Sequence, residues 1–575
     1  MDNRDYARIL KEIAALMQIK GANRFRIRAF ENAARTIETQ TESIEPAIDS
    51  DELTDLQGIG DGIARELSQI RQQGSSTLHG ELLDELDPGL LILLKIQGLG
   101  PKRIKAIYDE LGITEPDSLR QAAETHQIQQ LSGFGKKTEE KILAELDRLA
   151  KSEGRIPLPR AQSIAESLRD QLRDAPGVEA IEIAGSLRRG RETIGDIDLL
   201  VTGHETRSVH KAFRSLVEVD EVLATGETKT SARLHNGIQV DLRTVEPELF
   251  GSALHYFTGS KEHHIALRSR AKRQGLKISE YGVFGDDEAT PLASRTEEEV
   301  FECLGLDYIP PELREGRDEI ERAATGDLPE LIEAPDVNGD LHMHTTETDG
   351  RASIEEMAEA AIERGYQFIA ITDHSQAVRV ANGMDAQRFG AQIETIRQVD
   401  AEFDELRILS GIEVDILKDG SLDMDHQLLA ACDWVVASIH SHFSLPAKAT
   451  TERIIHAIKS GLISALGHPT GRILGGRDGY DYDLEAVFDC AAEHGVALEI
   501  NGSSGRLDLN AELAAYAHER GAWIVLGSDA HSRRGLGDMR FAVQQARRAG
   551  LESDAILNCL PADRLIDAVA KRRSS

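Results

Sequence analysis

The chain has 575 residues, enough for about three or four ordinary domains, and its 40% hydrophobic and 29% charged residues predict a folded protein. Asp and Glu outnumber Lys and Arg by 99 to 66, which excludes a surface that is basic throughout but permits a local basic groove. No apolar run reaches the roughly 20 residues of a membrane helix, the first residues do not resemble a signal peptide, and the four cysteines form no close pair. We therefore expect a cytoplasmic protein without a disulfide framework.

Three Gly-x-Gly turns interrupt helical patterns in the first 150 residues. Each follows an apolar residue and precedes a stretch of helical periodicity; the glycines are Gly58 and Gly60, Gly98 and Gly100, and Gly133 and Gly135. This pattern is typical of helix-hairpin-helix motifs, whose turn offers backbone N–H groups and a helix N-terminus to a phosphate. Lys102 and Lys136 follow two of the turns, so we expect contacts to the DNA backbone that do not read bases. For any single turn, an ordinary connection between two helices is the alternative.

Three aspartates mark a candidate catalytic centre further along the chain. Asp196 and Asp198 are two residues apart in an apolar segment, so on a strand they point to the same face. Asp241 alternates with apolar residues in a second predicted strand. If the two strands are neighbours, the three carboxylates converge and repel one another unless divalent cations such as Mg²⁺ neutralise them. Such a cluster suits two-metal phosphoryl transfer, although an Asp-x-Asp pair at a strand end can also be purely structural.

The residues around these aspartates resemble the family X DNA polymerases. The first matching motif contains Gly185, Ser186, Arg189, Gly195, Asp196 and Asp198, and the second contains Tyr256, Phe257, Gly259, Ser260 and Arg268. The resemblance implies that Asp196 and Asp198 bind two Mg²⁺ (or Mn²⁺) ions, and that Asp241 binds the catalytic one near the primer 3′-OH. It implies that Gly185, Ser186, Arg189 and Gly195 hold the nucleotide phosphates, that Tyr256, Phe257, Gly259 and Ser260 line the nucleotide site, and that Arg268 contacts the template strand.

The chain departs from this family at two places. His264 stands where the family often has an asparagine that reads the minor-groove edge of the nucleotide, which affects the expected fidelity. The vertebrate repair enzymes form a Schiff base through a lysine four residues after another lysine, and here those positions hold Gly62 and Glu66. Because a carboxylate cannot form an imine, we predict weak or absent deoxyribose-phosphate lyase activity.

Histidines and acidic residues follow apolar runs repeatedly from residue 337 onward, a stretch that contains 11 of the 19 histidines. Continuous apolar runs are typical of parallel strands buried on both faces, and barrel enzymes place their chemistry at the carboxyl ends of such strands. Six strand ends in succession that carry His, Asp or Glu make a purely structural role for these residues improbable. Mixed imidazole and carboxylate ligands suit Zn²⁺, Mn²⁺ or Fe²⁺ better than Mg²⁺.

This arrangement resembles the PHP domain, named for polymerases and histidinol phosphatases. The resemblance covers residues 337–575 and implies a distorted seven-stranded barrel with up to three Mn²⁺, Zn²⁺ or Fe²⁺ ions. The matching ligands are His342, His344, Asp349, His374, Glu413, His440, His468, Asp529 and His531. Since all nine are present, we expect a functional metal site.

We predict a multidomain α/β protein in which a helical N-terminal region precedes a nucleotidyltransferase palm, a thumb and a barrel. The predicted ranges are a lyase-like helical domain at 1–82, a helical fingers domain at 83–152, a palm at 153–250, a thumb at 251–325, a linker at 326–336 and a PHP domain at 337–575. Residues 155–159 break the helical pattern and are also predicted to be a linker.

The predicted function is gap filling in DNA repair, with a 3′-5′ exonuclease in the PHP domain. The family resemblance also allows abasic-site endonuclease and 3′-phosphatase action. The expected partners are gapped or nicked double-stranded DNA and dNTPs, and we expect a monomer that does not bind membranes. Two alternatives are a PHP nuclease whose polymerase half only binds DNA, and a small-molecule phosphatase of the histidinol-phosphate type.

Overall fold

A computed structural model describes residues 3–38, 43–50, 52–56, 58–87, 89–94, 96, 98–152, 154–204, 207–285 and 290–565. The chain forms two compact units. The first contains Met1–Arg155, His210–Gly226 and Thr230–Val240, and the second contains Ile156–Val209, Glu227–Lys229 and Asp241–Ser575. None of the described helices combines the length and the apolar character that crossing a membrane requires.

The N-terminal part of the first unit is helical. Its helices are α1 (Asn3–Lys20), α2 (Arg24–Glu38), α3 (Glu45–Asp49), α4 (Asp61–Gln73), α5 (Thr77–Glu85), α6 (Gly89–Leu93), α7 (Pro101–Leu111), α8 (Pro116–Glu124) and α9 (Lys136–Ser152). They pack around two separate apolar cores, one formed by side chains from Tyr6 to Leu82 and the other mainly by side chains from Leu90 to Leu146. Each core buries the apolar stripes of its own amphipathic helices.

The three predicted Gly-x-Gly turns share one backbone geometry. The first glycine of each turn has a left-handed φ, namely 88° at Gly58, 90° at Gly98 and 83° at Gly133. The middle residue is buried in the core, and the second glycine stands next to or at the start of the following helix. All six glycines are exposed, as are Lys102 and Lys136. A side chain other than hydrogen would strain the first position, so the sequence pattern follows from the turn itself.

A five-stranded sheet with the order β2-β4-β7-β6-β5 carries the aspartates. The elements from here to the barrel are β1 (Ile156–Pro157), α10 (Leu158–Leu172), β2 (Val178–Ile183), α11 (Gly185–Arg188), β3 (Thr193–Ile194), β4 (Asp196–Gly203), α12 (Arg207–Arg214), β5 (Val219–Thr225), β6 (Lys229–Leu234), β7 (Gln239–Val245), α13 (Phe250–Thr258), α14 (Lys261–Arg273), β8 (Lys277–Ser279), β9 (Gly282–Phe284), α15 (Glu297–Cys303) and α16 (Glu319–Thr325). Strands β2 and β4 are antiparallel. Residue 153, the predicted start of the palm, lies outside the described residues.

The predicted linker at residues 155–159 is wrong. Ile156 and Pro157 pair with Ile194 and Thr193 in a short antiparallel ladder, and α10 begins immediately afterwards at Leu158. Proline fits both positions, because a short edge strand does not need every N–H and the first turn of a helix has no partner for its N–H groups. The prolines that suggested a break therefore lie at the end of β1 (Pro157) and in the first turn of α10 (Pro159).

Seven parallel strands in sequential order form the C-terminal sheet, as predicted for the barrel. Its elements are β10 (Gly339–Asp340), α17 (Ile354–Ile362), β11 (Phe368–Ile371), α18 (Ala386–Asp400), β12 (Arg407–Asp415), α19 (His426–Ala431), β13 (Trp434–Ser438), α20 (Ala447–Ile458), β14 (Ala465–Leu466), α21 (Leu484–His494), β15 (Ala497–Asn501), α22 (Ala511–Glu519), β16 (Ile524–Gly527) and α23 (Met539–Arg548). A parallel bridge between Met343 and Ala530 joins the chain beyond β10 to the chain beyond β16 and nearly closes the sheet. The carboxyl ends of the strands therefore surround one mouth.

Only the middle of the segment 326–336 packs against the barrel, since Leu331 and Ile332 are buried while residues 326, 327, 330 and 333–336 are exposed. Ile332 is almost fully buried in the barrel core, and its N–H donates to the carbonyl of Leu551 at 3.1 Å. The segment begins at Gly326, which ends α16 in a left-handed conformation. These contacts fix the connection from the thumb to β10.

Two candidate active sites

The three predicted aspartates lie on neighbouring strands of the five-stranded sheet. Asp196 and Asp198 start β4, and Asp241 is on β7 beside it. Burial, and then the charges of Asp196 and Asp241, raise the pKa of Asp198 to about 7. The Nζ of Lys229 lies 2.7 Å from Oδ2 of Asp241 and offsets part of the negative charge. The site therefore concentrates anionic charge to the point where one carboxyl is held close to its neutral form.

The loop after β2 approaches the aspartates closely. Gly185 has a left-handed φ of 66°, and a Cβ at this position would lie 2.4 Å from Oδ2 of Asp198. Only glycine allows this approach. The short helix α11 then places Ser186 half-buried in the loop, while Gly195 immediately precedes the first aspartate of β4. Of the glycines and the serine predicted to hold nucleotide phosphates, Gly185 thus lies against Asp198, Ser186 follows it in the loop, and Gly195 adjoins Asp196.

Arg189 is buried at the end of this loop. Its Nε donates to Oε1 of Glu315 at 3.1 Å, and its Nη1 donates to the carbonyl oxygen of Thr258. A Cβ on Gly259 would lie 2.9 Å from Nη1, so glycine is required there for the guanidinium to fit. Burial lowers the pKa of Arg189, but an arginine remains charged at neutral pH. The loop thus holds a fixed cation among polar backbone groups.

The aromatic pair lies at the end of α13. The imidazole of His264 on α14 stacks against the ring of Tyr256, with ring centroids 5.4 Å apart, and its Nε2 donates to the Tyr256 carbonyl at 2.8 Å. Arg268 lies 5.9 Å from the Tyr256 ring, and Arg243 lies 4.4 Å from the ring of Phe257. Burial lowers the pKa of His264 to about 4, so the ring is neutral. His264 thus orients Tyr256, a contact that the sequence did not predict.

Ser260 follows this pair and begins α14. Its hydroxyl accepts a hydrogen bond from the N–H of His263 at 3.2 Å, as expected of an N-cap residue. The predicted nucleotide-binding residue is therefore also a helix cap.

The nine predicted metal ligands gather at the mouth of the barrel. They stand directly after β10 (His342, His344), in the following loop (Asp349), after β11 (His374), within β12 (Glu413), after β13 (His440), after β14 (His468) and after β16 (Asp529, His531). Three groups have ligand atoms within 4.8 Å of one another: His344, Asp349, His374 and His531; His342, His344 and Asp529; and His374, Glu413 and His440. The ninth residue, His468, joins through its Nε2, 2.9 Å from Oε1 of Glu413.

The donor atoms of these groups fit metal ions. Nε2 of His342, Nε2 of His344 and Nδ1 of His374 are buried and make no well-aligned hydrogen bond within the described part of the chain. Carboxylate oxygens nevertheless lie near two of them, 2.7 Å from Nδ1 of His374 and 3.2 Å from Nε2 of His344. A metal ion bound between such nitrogens and oxygens would satisfy both. Each group combines imidazole with carboxylate, which is the donor set of transition metals. Among the described residues the three aspartates of β4 and β7 do not form so compact a group.

Opposite charges stabilise one another at the mouth of the barrel. Burial opposes the charged form of His342, but Glu499, Asp529 and Glu413 raise its pKa well above the usual value. Burial likewise opposes the charged form of Asp349, yet a hydrogen bond from His531 and the nearby imidazoles lower its pKa to about 2. The carboxylates are thus ionised and suited to cation binding at neutral pH.

Two carboxylates that the sequence analysis missed orient the histidines. Oε1 of Glu499 lies 2.6 Å from Nδ1 of His342, and Oδ1 of Asp415 lies 3.2 Å from Nδ1 of His440. Both contacts leave Nε2 of the same ring for an ion. Glu499 is the one acidic residue in the otherwise largely apolar strand β15. An acidic residue in an apolar run is also the pattern that pointed to Glu413, so the sequence could have indicated Glu499 as well. Arg506 was also missed, and its Nε lies 3.4 Å from Oδ2 of Asp529.

Five known domain families match consecutive parts of the chain. They are the helix-hairpin-helix domain at residues 1–76, the SAM-like helix-hairpin-helix tandem at 90–148, the DNA polymerase beta palm at 155–239, the DNA polymerase beta thumb at 253–315 and the PHP domain at 340–503. Polymerase and PHP domains depend on metal ions, and the helix-hairpin-helix domains bind DNA. The families follow one another in the predicted order.

Curated relatives include one of nearly full length. The DNA polymerase/3′-5′ exonuclease PolX of Bacillus subtilis (strain 168) is 40% identical over 560 residues, which cover 97% of this chain and 97% of that protein. A probable phosphatase of Vibrio atlanticus (strain LGP32) is 30% identical over 248 residues, 41% of this chain and 95% of that protein. Another, from Shewanella sp. (strain ANA-3), is 34% identical over 232 residues, 39% of this chain and 87% of that protein. The chain belongs to the family X DNA polymerases that carry a C-terminal PHP domain.

Proposed function

We propose that the two sites divide the work of a DNA repair polymerase: the aspartate site fills gaps with dNTPs, and the barrel removes nucleotides as a 3′-5′ exonuclease. The observation that supports this proposal is the presence, in one chain of this family, of three neighbouring aspartates and of nine histidines and acidic residues gathered at one barrel mouth. Bound divalent cations would neutralise phosphate charge and polarise the reacting P–O bonds in both sites.

In the polymerase reaction, Asp196 and Asp198 would hold two Mg²⁺ (or Mn²⁺) ions and Asp241 the one nearer the primer 3′-OH. The raised pKa of Asp198 supports this role, because carboxylates that repel one another favour cation binding. Lys229 would release Asp241 when the ions bind. The primer 3′-OH would attack the α-phosphate of the dNTP, the bond to the β-phosphate would break and pyrophosphate would leave. The hydroxyl proton would pass to solvent beside Asp241, since the nearby carboxylates favour its loss.

The incoming nucleotide would lie between the loop of α11 and the end of α13. The fork of donors on Arg189, together with Ser186 and the backbone at Gly185 and Gly195, suits the β- and γ-phosphates. Tyr256 and Phe257, with Gly259 and Ser260, would line the sugar, and their crowded wall would exclude a ribose 2′-OH. His264 would act by fixing Tyr256, and the exposed Arg268 would contact the template strand.

In the barrel, the nine ligands would hold up to three Mn²⁺, Zn²⁺ or Fe²⁺ ions. The positively charged Arg506, beside Asp529, is suited to hold the phosphate of the scissile bond. The same chemistry allows abasic-site endonuclease and 3′-phosphatase action, since each attacks a phosphoester. A nuclease whose polymerase half only binds DNA is disfavoured, because binding alone requires no aspartate triad.

The helical N-terminal domains would grip the duplex on either side of a gap or nick. The turns at Gly58 to Gly60, Gly98 to Gly100 and Gly133 to Gly135 offer exposed backbone, and Lys102 and Lys136 add positive charge. The domain boundaries given above, a monomeric state and weak deoxyribose-phosphate lyase activity belong to this proposal. Gly62 and Glu66 lie on α4, where neither can form the imine.

Separation of the two activities tests the proposal. The double variant Asp196→Ala/Asp198→Ala should lose primer extension on one-nucleotide-gapped DNA with dNTPs and Mg²⁺, and should keep Mn²⁺-dependent shortening of the primer. His342→Ala/His344→Ala should do the reverse. If a folded double variant loses both activities together, the two-site assignment is wrong.

A glycine pair supplies a sharper version of this test. Gly185→Ala would place a methyl group 2.4 Å from Oδ2 of Asp198, so it should abolish extension and spare the nuclease. Gly275→Ala is the matched control, because Gly275 has a similar φ of 73° but no neighbouring atom within 4 Å. Equal loss of extension in both variants would mean that backbone strain, rather than displacement of Asp198, is responsible.

A further inference from the structure

The last helix of the barrel, α23, contacts the loop that contains Arg189. Nη1 of Arg548 donates to the carbonyl of Arg189 at 2.6 Å, and Nε2 of Gln545 donates to the carbonyl of Gly190 at 2.9 Å. Two consecutive carbonyls at the end of the loop are thus held by side chains from one helical turn. Each of the two side chains lies more than 350 positions after the carbonyl that it holds.

This contact is close and shielded from water. Gln545 is fully buried, and only 8% of the Arg548 side chain is exposed. A Cβ on Gly190 would lie 2.6 Å from the side chain of Gln544, so glycine is needed for α23 to come this near. Buried hydrogen bonds are costly to break because the carbonyl left behind has no water to replace the donor.

Glu315 connects the same helix to the guanidinium of Arg189. Its Oε1 accepts from Nη1 of Arg548 at 3.0 Å and from Nε of Arg189 at 3.1 Å, and its Oε2 accepts from Nη1 of Arg191 at 3.0 Å. Burial would raise the pKa of Glu315, but Arg548 and Arg189 lower it, so the carboxylate stays charged. The backbone and the side chain of Arg189 are therefore both fixed by contacts that include Arg548.

We propose that Arg548 and Gln545 are positioning residues of the polymerase reaction, which hold the phosphate-binding loop and, through Glu315, aim the Arg189 guanidinium at the incoming nucleotide. The nucleotide site is then completed by the barrel, and dNTP affinity depends on a helix of the nuclease domain. This inference rests on the proposed function of Arg189 as a ligand of the nucleotide phosphates. It assigns to the barrel a role in synthesis that is independent of the barrel's own chemistry.

The neighbouring Arg547 is a matched control on the same helix. Its Nε donates to Oε1 of Glu312 at 2.7 Å, and its Nη1 donates to the carbonyl of Ile332 at 2.9 Å. It therefore joins the barrel to the thumb as Arg548 does, but these contacts do not reach the loop of Arg189. Removing Arg547 weakens the same junction without releasing the loop.

The experiment measures dNTP KM and kcat on gapped DNA with Mg²⁺, using the full-length chain. Gln545→Leu removes one buried hydrogen bond and should raise the KM for dNTP about three- to tenfold. Arg548→Met removes the hydrogen bonds to the Arg189 carbonyl and to Glu315, and should raise this KM at least as much. The Kd for gapped DNA and the Mn²⁺-dependent exonuclease rate should stay within twofold of the parent chain. Arg547→Met should leave all three quantities within twofold.

Arg189→Ala, measured in parallel, separates the inference from the function on which it rests. If Arg189→Ala raises the KM but Arg548→Met and Gln545→Leu do not, the positioning role is wrong and the proposed role of Arg189 stands. If Arg189→Ala leaves the KM unchanged, the role of Arg189 fails and the inference fails with it. The KM increase in the double variant Arg189→Ala/Arg548→Met should be smaller than the product of the two single increases, because part of the contribution of Arg548 acts through the side chain of Arg189.

Glu315→Gln tests whether these residues act only by maintaining the fold. It keeps the shape of the side chain and removes the charge that holds Arg189, Arg191 and Arg548. It should therefore raise the KM for dNTP and leave the exonuclease rate unchanged. A parallel fall of extension and exonuclease in Arg548→Met and Glu315→Gln would show that these residues only maintain the fold, and would overturn the inference.

Discussion

Replacing Glu499 by Gln tests how the barrel prepares its histidines for metal. The carboxylate of Glu499 lies 2.6 Å from Nδ1 of His342 through Oε1, while Oε2 accepts from the N–H of His468 at 2.6 Å. Glutamine keeps the size of the side chain but removes the charge, and it can place an amide N–H where an acceptor is needed. His342 would then lose the partner that directs its Nε2 toward the mouth.

The expected loss follows from the kind of contact that is removed. Carboxylates behind metal-binding histidines typically contribute 10- to 100-fold to metal affinity, or about 1.4 to 2.7 kcal/mol. Glu499 is only 2% exposed, so water does not replace it. We therefore expect Glu499→Gln to bind Mn²⁺ at least about tenfold more weakly at the group that contains His342.

Two measurements give this result independently. Calorimetric titration of the metal-free chain with Mn²⁺ gives the affinity, and the exonuclease rate as a function of Mn²⁺ concentration should shift to higher concentration and recover at saturation. Primer extension with Mg²⁺ should be unchanged. The control is Glu519→Gln, which makes the same chemical change on the exposed face of α22.

Unchanged Mn²⁺ affinity in Glu499→Gln would refute this reasoning, because the contact to His342 would then contribute nothing to metal binding. A loss of exonuclease that saturating Mn²⁺ does not restore would also contradict it, since Glu499 would then act in the reaction itself.

Three further predictions concern other parts of the chain. Burial opposes ionisation of Glu297, but Arg314 and Arg188 lower its pKa from 4.5 to about 2. The ionised carboxylate therefore adds about 3 kcal/mol to the free energy of unfolding above pH 4.5, and this contribution is lost as the pH falls toward 2. Glu297→Gln should lower the thermal unfolding midpoint at pH 7 much more than at pH 3, and an equal shift at both would contradict this. Lys102→Glu/Lys136→Glu should weaken binding to gapped DNA and flatten its dependence on salt concentration, while an unchanged salt slope would remove the hairpins from the interface. Lys229→Met should lower the Mg²⁺ concentration needed for half-maximal extension, since the ion no longer competes with an ammonium group 2.7 Å from Asp241. A higher Mg²⁺ concentration for half-maximal extension would mean instead that Lys229 orders the carboxylate of Asp241.

Local sequence patterns predicted the parts of the sites that depend on local backbone geometry. Asp196 and Asp198 share a face because β4 has a two-residue repeat, and the barrel ligands converge because parallel strands end on one side of the sheet. The left-handed glycines of the hairpins follow from the same kind of reasoning. Each of these inferences needs only a few consecutive residues.

Contacts between distant segments account for what was missed. Glu315 meets Arg189 across 126 positions, and Glu499 meets His342 across 157. Nothing near Glu315 in the sequence marks it as the partner of a buried arginine. The wrong linker at residues 155–159 has the same origin, because the pairing of Ile156 with Ile194 decides the structure there.

The two sites also differ in their balance of charge. The barrel mixes imidazoles with carboxylates, so opposite charges hold three groups of ligand atoms within 4.8 Å. The polymerase site contains three carboxylates, and its nearby cations are Lys229 and Arg243 at the edge of Asp241. The three neighbouring carboxylates repel one another with less compensating positive charge than the barrel residues have, as the raised pKa of Asp198 shows. We therefore expect divalent cations to relieve more repulsion at the aspartates than at the mouth of the barrel.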